Sequence, residues 1–264
     1  MKKIISILII AFVSVNLFAQ TNMIIRTTDG NTHSYSISIV DSVYYEEELP
    51  NCGTVIDYDG NEYATITIDT LCWMAENLKV THYPNGDAIP NVTGDTDWAN
   101  LTDDNTSDAY CYYNNNANNE ADTYGALYTY AAAIGDNWAR DLVNNQGVCP
   151  DGWHLPTDAE WTTLTNYLGG ENIAGGKMKE IDTTYWDSPN EGADNSSGFT
   201  ALPNGVRYNN NGTFDYMGGS GVWWSATEEN SDNAYYRNLN YNSAGVDHYY
   251  SSKSYGFAVR CVRD

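Results

Sequence analysis

Basic residues are scarce in this chain: twelve Lys and Arg stand against 35 Asp and Glu, a formal charge of -23 at neutral pH. A surface so poor in cations has no cluster with which to grip phosphates, which argues against nucleic acid and anionic membrane surfaces as partners. Long apolar runs are also few. The longest, Ile4 to Val15, is about a dozen residues, where a membrane helix needs roughly 20, so no membrane span is expected. The five cysteines, Cys52, Cys72, Cys111, Cys149 and Cys261, never fall two residues apart, and His33, His82, His154 and His248 are scattered. That spacing argues against a structural metal centre.

Aromatic residues, by contrast, are abundant. With 22 Tyr, 8 Trp and 5 Phe the chain can bury a core, which excludes the disorder its acidity would otherwise suggest. The start reads Met1-Lys2-Lys3, the apolar run, then Asn16-Leu17-Phe18-Ala19-Gln20. This is the order of a secretory signal peptide, residues 1–19, cleaved after Ala19. No cysteine follows at the cleavage region to carry a lipid. Cleavage takes away Lys2 and Lys3, leaving ten basic residues against 35 acidic ones and a charge of -25. The expected location is extracytoplasmic or secreted, an oxidising compartment where disulfides persist.

Residues 20–50 read as a short β-hairpin unit, with Met23 to Arg26 and Ser34 to Ile39 flanking an Asp29-Gly30 turn, followed by the acidic linker Glu46 to Pro50. The main domain, residues 51–264, opens with a second Asp-Gly hairpin over 54–68. Asp57, Asp59 and Asn61 suggest a calcium loop, but the glycine falls one place early and Ile68 stands where a bidentate Glu is required. Apolar residues at helical spacing predict a helix over Tyr124 to Ile134, ended by Gly135. A second is predicted from Thr157-Asp158-Ala159-Glu160, a capping box, with Trp161, Leu164, Thr165 and Leu168 on one face and Gly169-Gly170 as the stop. From residue 198 onward, short strands are predicted at 205–208, 213–216, 222–225, 235–239, 246–250 and 257–262, antiparallel because their connections are too short for crossovers. Helices followed by a run of strands make an α+β domain.

Six phrases occur in order: Trp73-Met74-Ala75-Glu76-Asn77-Leu78, Tyr124-Gly125-Ala126-Leu127-Tyr128, Cys149 to Trp161, Gly198-Phe199-Thr200-Ala201-Leu202-Pro203, Trp223-Trp224-Ser225-Ala226-Thr227-Glu228 and Tyr255 to Val262. Together they closely resemble the Fibrobacter succinogenes major paralogous domain, a family of secreted and surface proteins, over residues 52–264. More distantly, His154 to Trp161 and Gly256 to Arg260 are similar to segments of formylglycine-generating enzymes. That similarity implies a C-type-lectin-like fold: two main helices on a twisted, mostly antiparallel sheet with long irregular loops. It does not carry function by itself.

Formylglycine-generating chemistry uses a cysteine pair near the end of its domain, whereas Cys261 is the last cysteine here and the one before it is Cys149. His154, between Trp153 and Leu155, reads as a packing residue, and no local motif ties a histidine to a cysteine. No catalytic residue is therefore assigned. Cys149 and Cys261, both inside family-like phrases, would tie the entry of the second helix to the last strand. Cys52 and Cys72 flank the 57–68 hairpin and could clip its open ends, leaving Cys111 unpaired, although five cysteines permit fifteen two-bridge arrangements.

Trp153, Trp161, Trp223 and Trp224 read as core. The remaining aromatic residues, mixed with Asn and Asp, suit carbohydrate, whose apolar faces stack on rings while its hydroxyls take polar partners. The candidate binding residues are Tyr112, Tyr113, Trp186, Asn190, Tyr208, Tyr241, Tyr249 and Tyr250. Trp186 and Asn190 lie in Trp186-Asp187-Ser188-Pro189-Asn190-Glu191, which is similar to the Glu-Pro-Asn sugar loop of calcium-dependent lectins with Ser188 in place of the first acid. That loop and the acidic stretch bearing Asp95, Asp97, Asp103, Asp104 and Asp108 are the places where calcium would bind; no other cofactor is expected. The reading from sequence is a non-catalytic binding or structural module for a glycan or a surface protein. The alternative is an extracellular enzyme related to formylglycine-generating oxidases.

Overall fold

The computed structural model describes residues 22–26, 32–36, 52–118, 121–135 and 146–263. The expected signal peptide, the Asp29-Gly30 turn and the acidic linker lie outside the described residues. The chain divides into two units, Met1–Glu48 and Leu49–Asp264. In the first, β1 (Asn22–Arg26) pairs antiparallel with β2 (Thr32–Ser36), with Ile24 opposite Ser34.

The second unit opens with β3 (Thr54–Ile56), β4 (Glu62–Ile68) and β5 (Leu71–Met74). Asp57 closes the first hairpin. Its carboxylate accepts the Asn61 backbone N–H and side-chain Nδ2–H, each at 2.9 Å, and the Tyr63 hydroxyl at 2.6 Å. The Asp-Asp-Asn spacing therefore builds a turn. Next come α1 (Asp95–Ala99), β6 (Tyr110–Cys111), α2 (Ala121–Tyr124), β7 (Leu127–Tyr128) and α3 (Tyr130–Ile134).

The helix expected over 124–134 is thus broken. Gly125, at φ +76°, packs so tightly that a Cβ there would lie 2.7 Å from Asn77 Cβ and 2.8 Å from the Leu78 carbonyl. Ala126 then donates its N–H to Leu78, and the Thr129 hydroxyl starts α3 by accepting from Ala132 N–H. Every residue of α3 is buried, so its apolar pattern has no preferred face and period alone misplaces the boundary. Gly135, in the left-handed region, ends it as expected.

The capping box forms: Thr157 Oγ1 accepts from Glu160 N–H and Glu160 Oε2 accepts from Thr157 N–H, starting α4 (Asp158–Tyr167) with Trp161, Leu164 and Thr165 buried. α5 (Ala174–Met178) follows. Among the described residues α4 is the one helix longer than five residues, so the expected pair of main helices reduces to one. β8 (Asn204–Arg207) and β9 (Phe214–Met217) form a hairpin, and β10 (Ser220–Glu228), β11 (Asn233–Asn240) and β12 (Asp247–Ser252) an antiparallel sheet in that order. The expected strand over 257–262 is realised only at its end, as β13 (Val262–Arg263), which adds to β5 in the order β13-β5-β4-β3. Upstream of it the chain is stitched by single bridges, Phe257 to Tyr128 and Ala258 to Trp223. The result is a sheet-rich α+β unit whose ladders all run antiparallel. Disulfides join Cys52 to Cys72 and Cys149 to Cys261, leaving Cys111 as a buried free thiol.

Burial protects several phenols. Tyr63 donates to Asp57, Tyr128 donates to the Val80 carbonyl at 2.7 Å, and Tyr63, Tyr83 and Tyr128 are at most 3% exposed. Burial raises all three above the ordinary phenol range, with the negative charge of Asp57 adding to the effect at Tyr63 and that of Asp108 at Tyr83. Their folded pKa values lie above the unfolded ones, so the stability they contribute is complete below about pH 10 and is lost as pH rises beyond it. Each group removes about 1.4 kcal/mol per pH unit. Stepwise alkaline titration should show these phenolates appearing only together with loss of secondary structure. Ionisation of every tyrosine near pH 10 with the fold intact would contradict this.

Candidate functional site

Five of the six phrases meet inside the protein. Asn77 Oδ1 accepts from Trp223 Nε1 at 2.7 Å and from Arg260 Nη2 and Nε at 2.8 and 3.1 Å, while its Nδ2 donates to the Tyr124 carbonyl at 2.9 Å. Arg260, 1% exposed, also donates to the Phe199 and Thr200 carbonyls, and its guanidinium lies 4.1 Å from the Phe199 ring centre. Burial draws its pKa down to about 9, so it is a cation at neutral pH. The Cys149 to Trp161 phrase joins through His154, whose backbone pairs with Val262 and whose Nε2 lies 2.7 Å from Glu160 Oε1. Trp153, Trp161, Trp223 and Trp224 are all buried. These groups face one another, and Asn77, Trp223 and Arg260 at their centre are buried. Cys261 is tied up in its disulfide, and burial pushes the Cys111 thiol up to about 12, far from the thiolate a nucleophile requires.

The outer surface is different in character. On β11, alternation sends Ala234 and Tyr236 to one side and Tyr235, Arg237 and Leu239 to the other. Tyr236 stands opposite Tyr249 of β12, ring centres 6.2 Å apart. From Tyr236 a row of rings runs on through Phe257 at 4.9 Å, Tyr255 at 5.4 Å, Tyr208 at 5.9 Å and Tyr216 at 6.4 Å. Its ends, Tyr249 and Tyr216, are 54% and 52% exposed, Tyr236, Tyr255 and Tyr208 are half-buried between them, and Phe257 is a buried ring beneath Tyr236 and Tyr255 that anchors them to the core.

Carboxylates flank the row: Asp215 accepts the Tyr208 hydroxyl at 3.3 Å and the Tyr216 backbone N–H at 2.8 Å, and Asp247, near Tyr236, is held by Asn240 Nδ2 at 2.8 Å. Burial, with Tyr249, Tyr255 and Asp247 nearby, pushes Tyr236 up to about 12; burial also raises Tyr255, and hydrogen bonding with Tyr216 raises Tyr208. The three inner phenols are therefore neutral at physiological pH and able both to donate and to accept hydrogen bonds.

Of the residues singled out from sequence, Tyr208 and Tyr249 belong to this row. Tyr250, 56% exposed, lies on the other side of the sheet with Tyr235 and His248, whose Nε2 is 2.9 Å from Asp158 Oδ1. Tyr112 packs edge-on against Tyr110, Tyr113 against Phe214, and Tyr241 is partly buried against the core cluster that holds Trp73, Trp161, Trp186 and Trp223.

Trp186 and Asn190 are corrected. Trp186 is 2% exposed and donates its indole N–H to the Ala201 carbonyl; Asn190 is 5% exposed and its Nδ2 donates to the Glu180 and Asp182 carbonyls. Buried Lys179 closes the same loop by donating to the carbonyls of Glu191, Asn240 and Ser243. The lectin-like phrase is therefore a clasp that presents neither residue to a ligand. The acidic stretch is likewise occupied: Asp95 pairs with Arg207, Asp103 accepts from Ser254, and Asp104 accepts from Thr106 and Ser107. Among the described residues no group of three or more His, Cys, Asp or Glu side chains is placed to hold a metal, and no helix is long and apolar enough to cross a membrane.

Tyr216, Tyr236, Tyr255 and Phe257 complete the row; of these only Tyr236 stands out in the sequence, as one of the aromatic residues mixed with Asn and Asp, and none is among the candidate binding residues. The only other signal for them was the period-two alternation around Tyr236. The family model described as Fibrobacter succinogenes major domain matches residues 66–263. No curated protein and no solved structure matches the chain.

Proposed function

The chain belongs to the Fibrobacter succinogenes major domain family, and from that premise we propose that it is an extracytoplasmic, non-catalytic binding module with a C-type-lectin-like body whose tyrosine row takes a neutral glycan. The row itself carries this reading. Rings at successive spacings of about 5–6 Å offer apolar faces for sugar rings, and their neutral phenols offer partners for hydroxyls. The flanking groups Asp215 and Asp247 are acidic, as is the chain as a whole, which disfavours uronic-acid polymers by like-charge repulsion. Two disulfides suit an oxidising compartment, which supports a place outside the cytoplasm.

Affinity electrophoresis of the mature chain through gels containing hydroxyethylcellulose or glucomannan, with polygalacturonate as the anionic control, tests the reading. The neutral polymers are expected to retard the protein and the control is not. Because Tyr216 and Tyr249 are more than half exposed, Tyr216→Ala and Tyr249→Ala should leave the melting temperature unchanged. Each should weaken retardation about fivefold, the loss of about 1 kcal/mol of ring contact. Retardation that is indifferent to both substitutions would place recognition elsewhere.

A further inference from the structure

Away from the tyrosine row, the tip of the β3–β4 hairpin and the segment around Cys149 enclose a pocket of 170 Å³, room for about five water molecules. Its lining mixes apolar residues, Val80, Pro84, Val148 and Pro150, with the polar Asp57, His82 and Asp151. No Lys or Arg is among the lining residues. The Asp57 carboxylate is held by the neutral donors Asn61 and Tyr63 only, so its charge is not cancelled. Asp151 takes one hydrogen bond, at 3.1 Å from Gln146.

His82 is oriented by its neighbour. Its Nδ1 lies 2.6 Å from Asp59 Oδ1, and Asp59 is fixed in turn by Thr81 N–H at 2.6 Å and the Thr81 hydroxyl at 2.9 Å. Nδ1 thus faces that carboxylate, and among the described residues Nε2 has no hydrogen-bond partner. Tyr58 is set over the pocket by Gly86, where a Cβ would fall 2.5 Å from the phenol oxygen, and its ring centre is 5.7 Å from that of His82.

We propose that this pocket is a second binding site, which takes the side chain of a lysine presented by a protein partner. An alkyl stem packs on the four apolar residues, and the ammonium finds the Asp151 carboxylate and the negative field of Asp57, with no Lys or Arg in the lining to compete. The face of Tyr58 adds a cation–π contact. A protein source is favoured over a free amine because the apolar rim extends beyond the pocket: Ile56 is 60% and Tyr58 56% exposed, more surface than one side chain covers.

The test is an NMR titration of the mature chain at about 0.15 M salt with the capped tripeptide Gly-Lys-Gly, its norleucine analogue and butylamine. The expected result is a Kd of the order of 1 mM for the lysine peptide, with shifts confined to the lining residues and no saturable norleucine binding. Asp151 is exposed, so its variants should fold: Asp151→Asn should weaken binding about threefold and Asp151→Lys at least tenfold, while Glu229→Gln, outside the lining, should change nothing. Equal binding of norleucine, shifts spread over the acidic surface, or indifference to Asp151→Lys would overturn the site. Butylamine binding as tightly as the peptide would overturn the protein partner.

Discussion

Asn77→Ala should lower the unfolding free energy by about 3–5 kcal/mol, at the upper end of what a single substitution does. The side chain carries no charge, and its weight comes from what depends on it. One oxygen, Oδ1, receives Trp223 Nε1 and both Nε and Nη2 of Arg260. The other contacts of the Arg260 guanidinium are the Phe199 and Thr200 carbonyls and the faces of Phe199 and Trp223. Removing the oxygen leaves a cation that is 1% exposed short of an acceptor, and an uncompensated buried charge costs more than a lost neutral hydrogen bond.

Asn77→Asp separates this explanation from simple loss of packing. It keeps an oxygen for Arg260 and Trp223 and gives up only the donor to the Tyr124 carbonyl, so it should cost less than half as much. Urea unfolding of the two variants checks the order. Equal losses would mean that the oxygen is not what holds Arg260.

Removal of the Cys149–Cys261 disulfide, as the paired Cys→Ala variant, should cost about 4–5 kcal/mol, and removal of Cys52–Cys72 about 3 kcal/mol. The bridges join residues 112 and 20 positions apart. In the chain-entropy account the longer loop withdraws more freedom from the unfolded chain. The longer bridge also sits among interior pairings: Cys261 lies between Val259, whose carbonyl accepts from Leu78 N–H, and Val262, which pairs with His154. Denaturant midpoints of the two paired variants test the ranking, and a larger loss from the shorter bridge would contradict it.

Chemistry confined to a few neighbouring residues could be read in advance. Thr157 and Glu160 cap α4 as their spacing requires, and Asp57, Gly60 and Asn61 turn the first hairpin. Strands from β8 to β12 fall close to the expected segments because glycines and asparagines punctuate them. Patterns that depend on having an outside could not be read where there is none. Tyr130 to Ile134 are buried on every side, and residues 256–261 thread the middle of the unit, so neither segment carries the alternation that marks a face.

The proposed binding surface was legible only in fragments, because its rings come from β9, β11, β12, the residue just after β8 and the stretch before β13. Adjacent tyrosines in one strand, such as Tyr249 and Tyr250, look equivalent in sequence yet point to opposite sides of the sheet. Trp186 and Asn190 misled for the converse reason. They sit among polar residues, as an exposed loop would, but the loop folds its polar groups inward onto carbonyls and Lys179.

The proposed division of labour is between phrases that hold the body together and a tyrosine row that would meet the ligand. Its most direct test is glucomannan affinity of the Tyr216→Ala/Tyr249→Ala double variant, measured by gel retardation where thermal unfolding shows it fully folded. Affinity should fall by an order of magnitude or more with the melting temperature unchanged. Undiminished binding in a folded double variant would contradict the division.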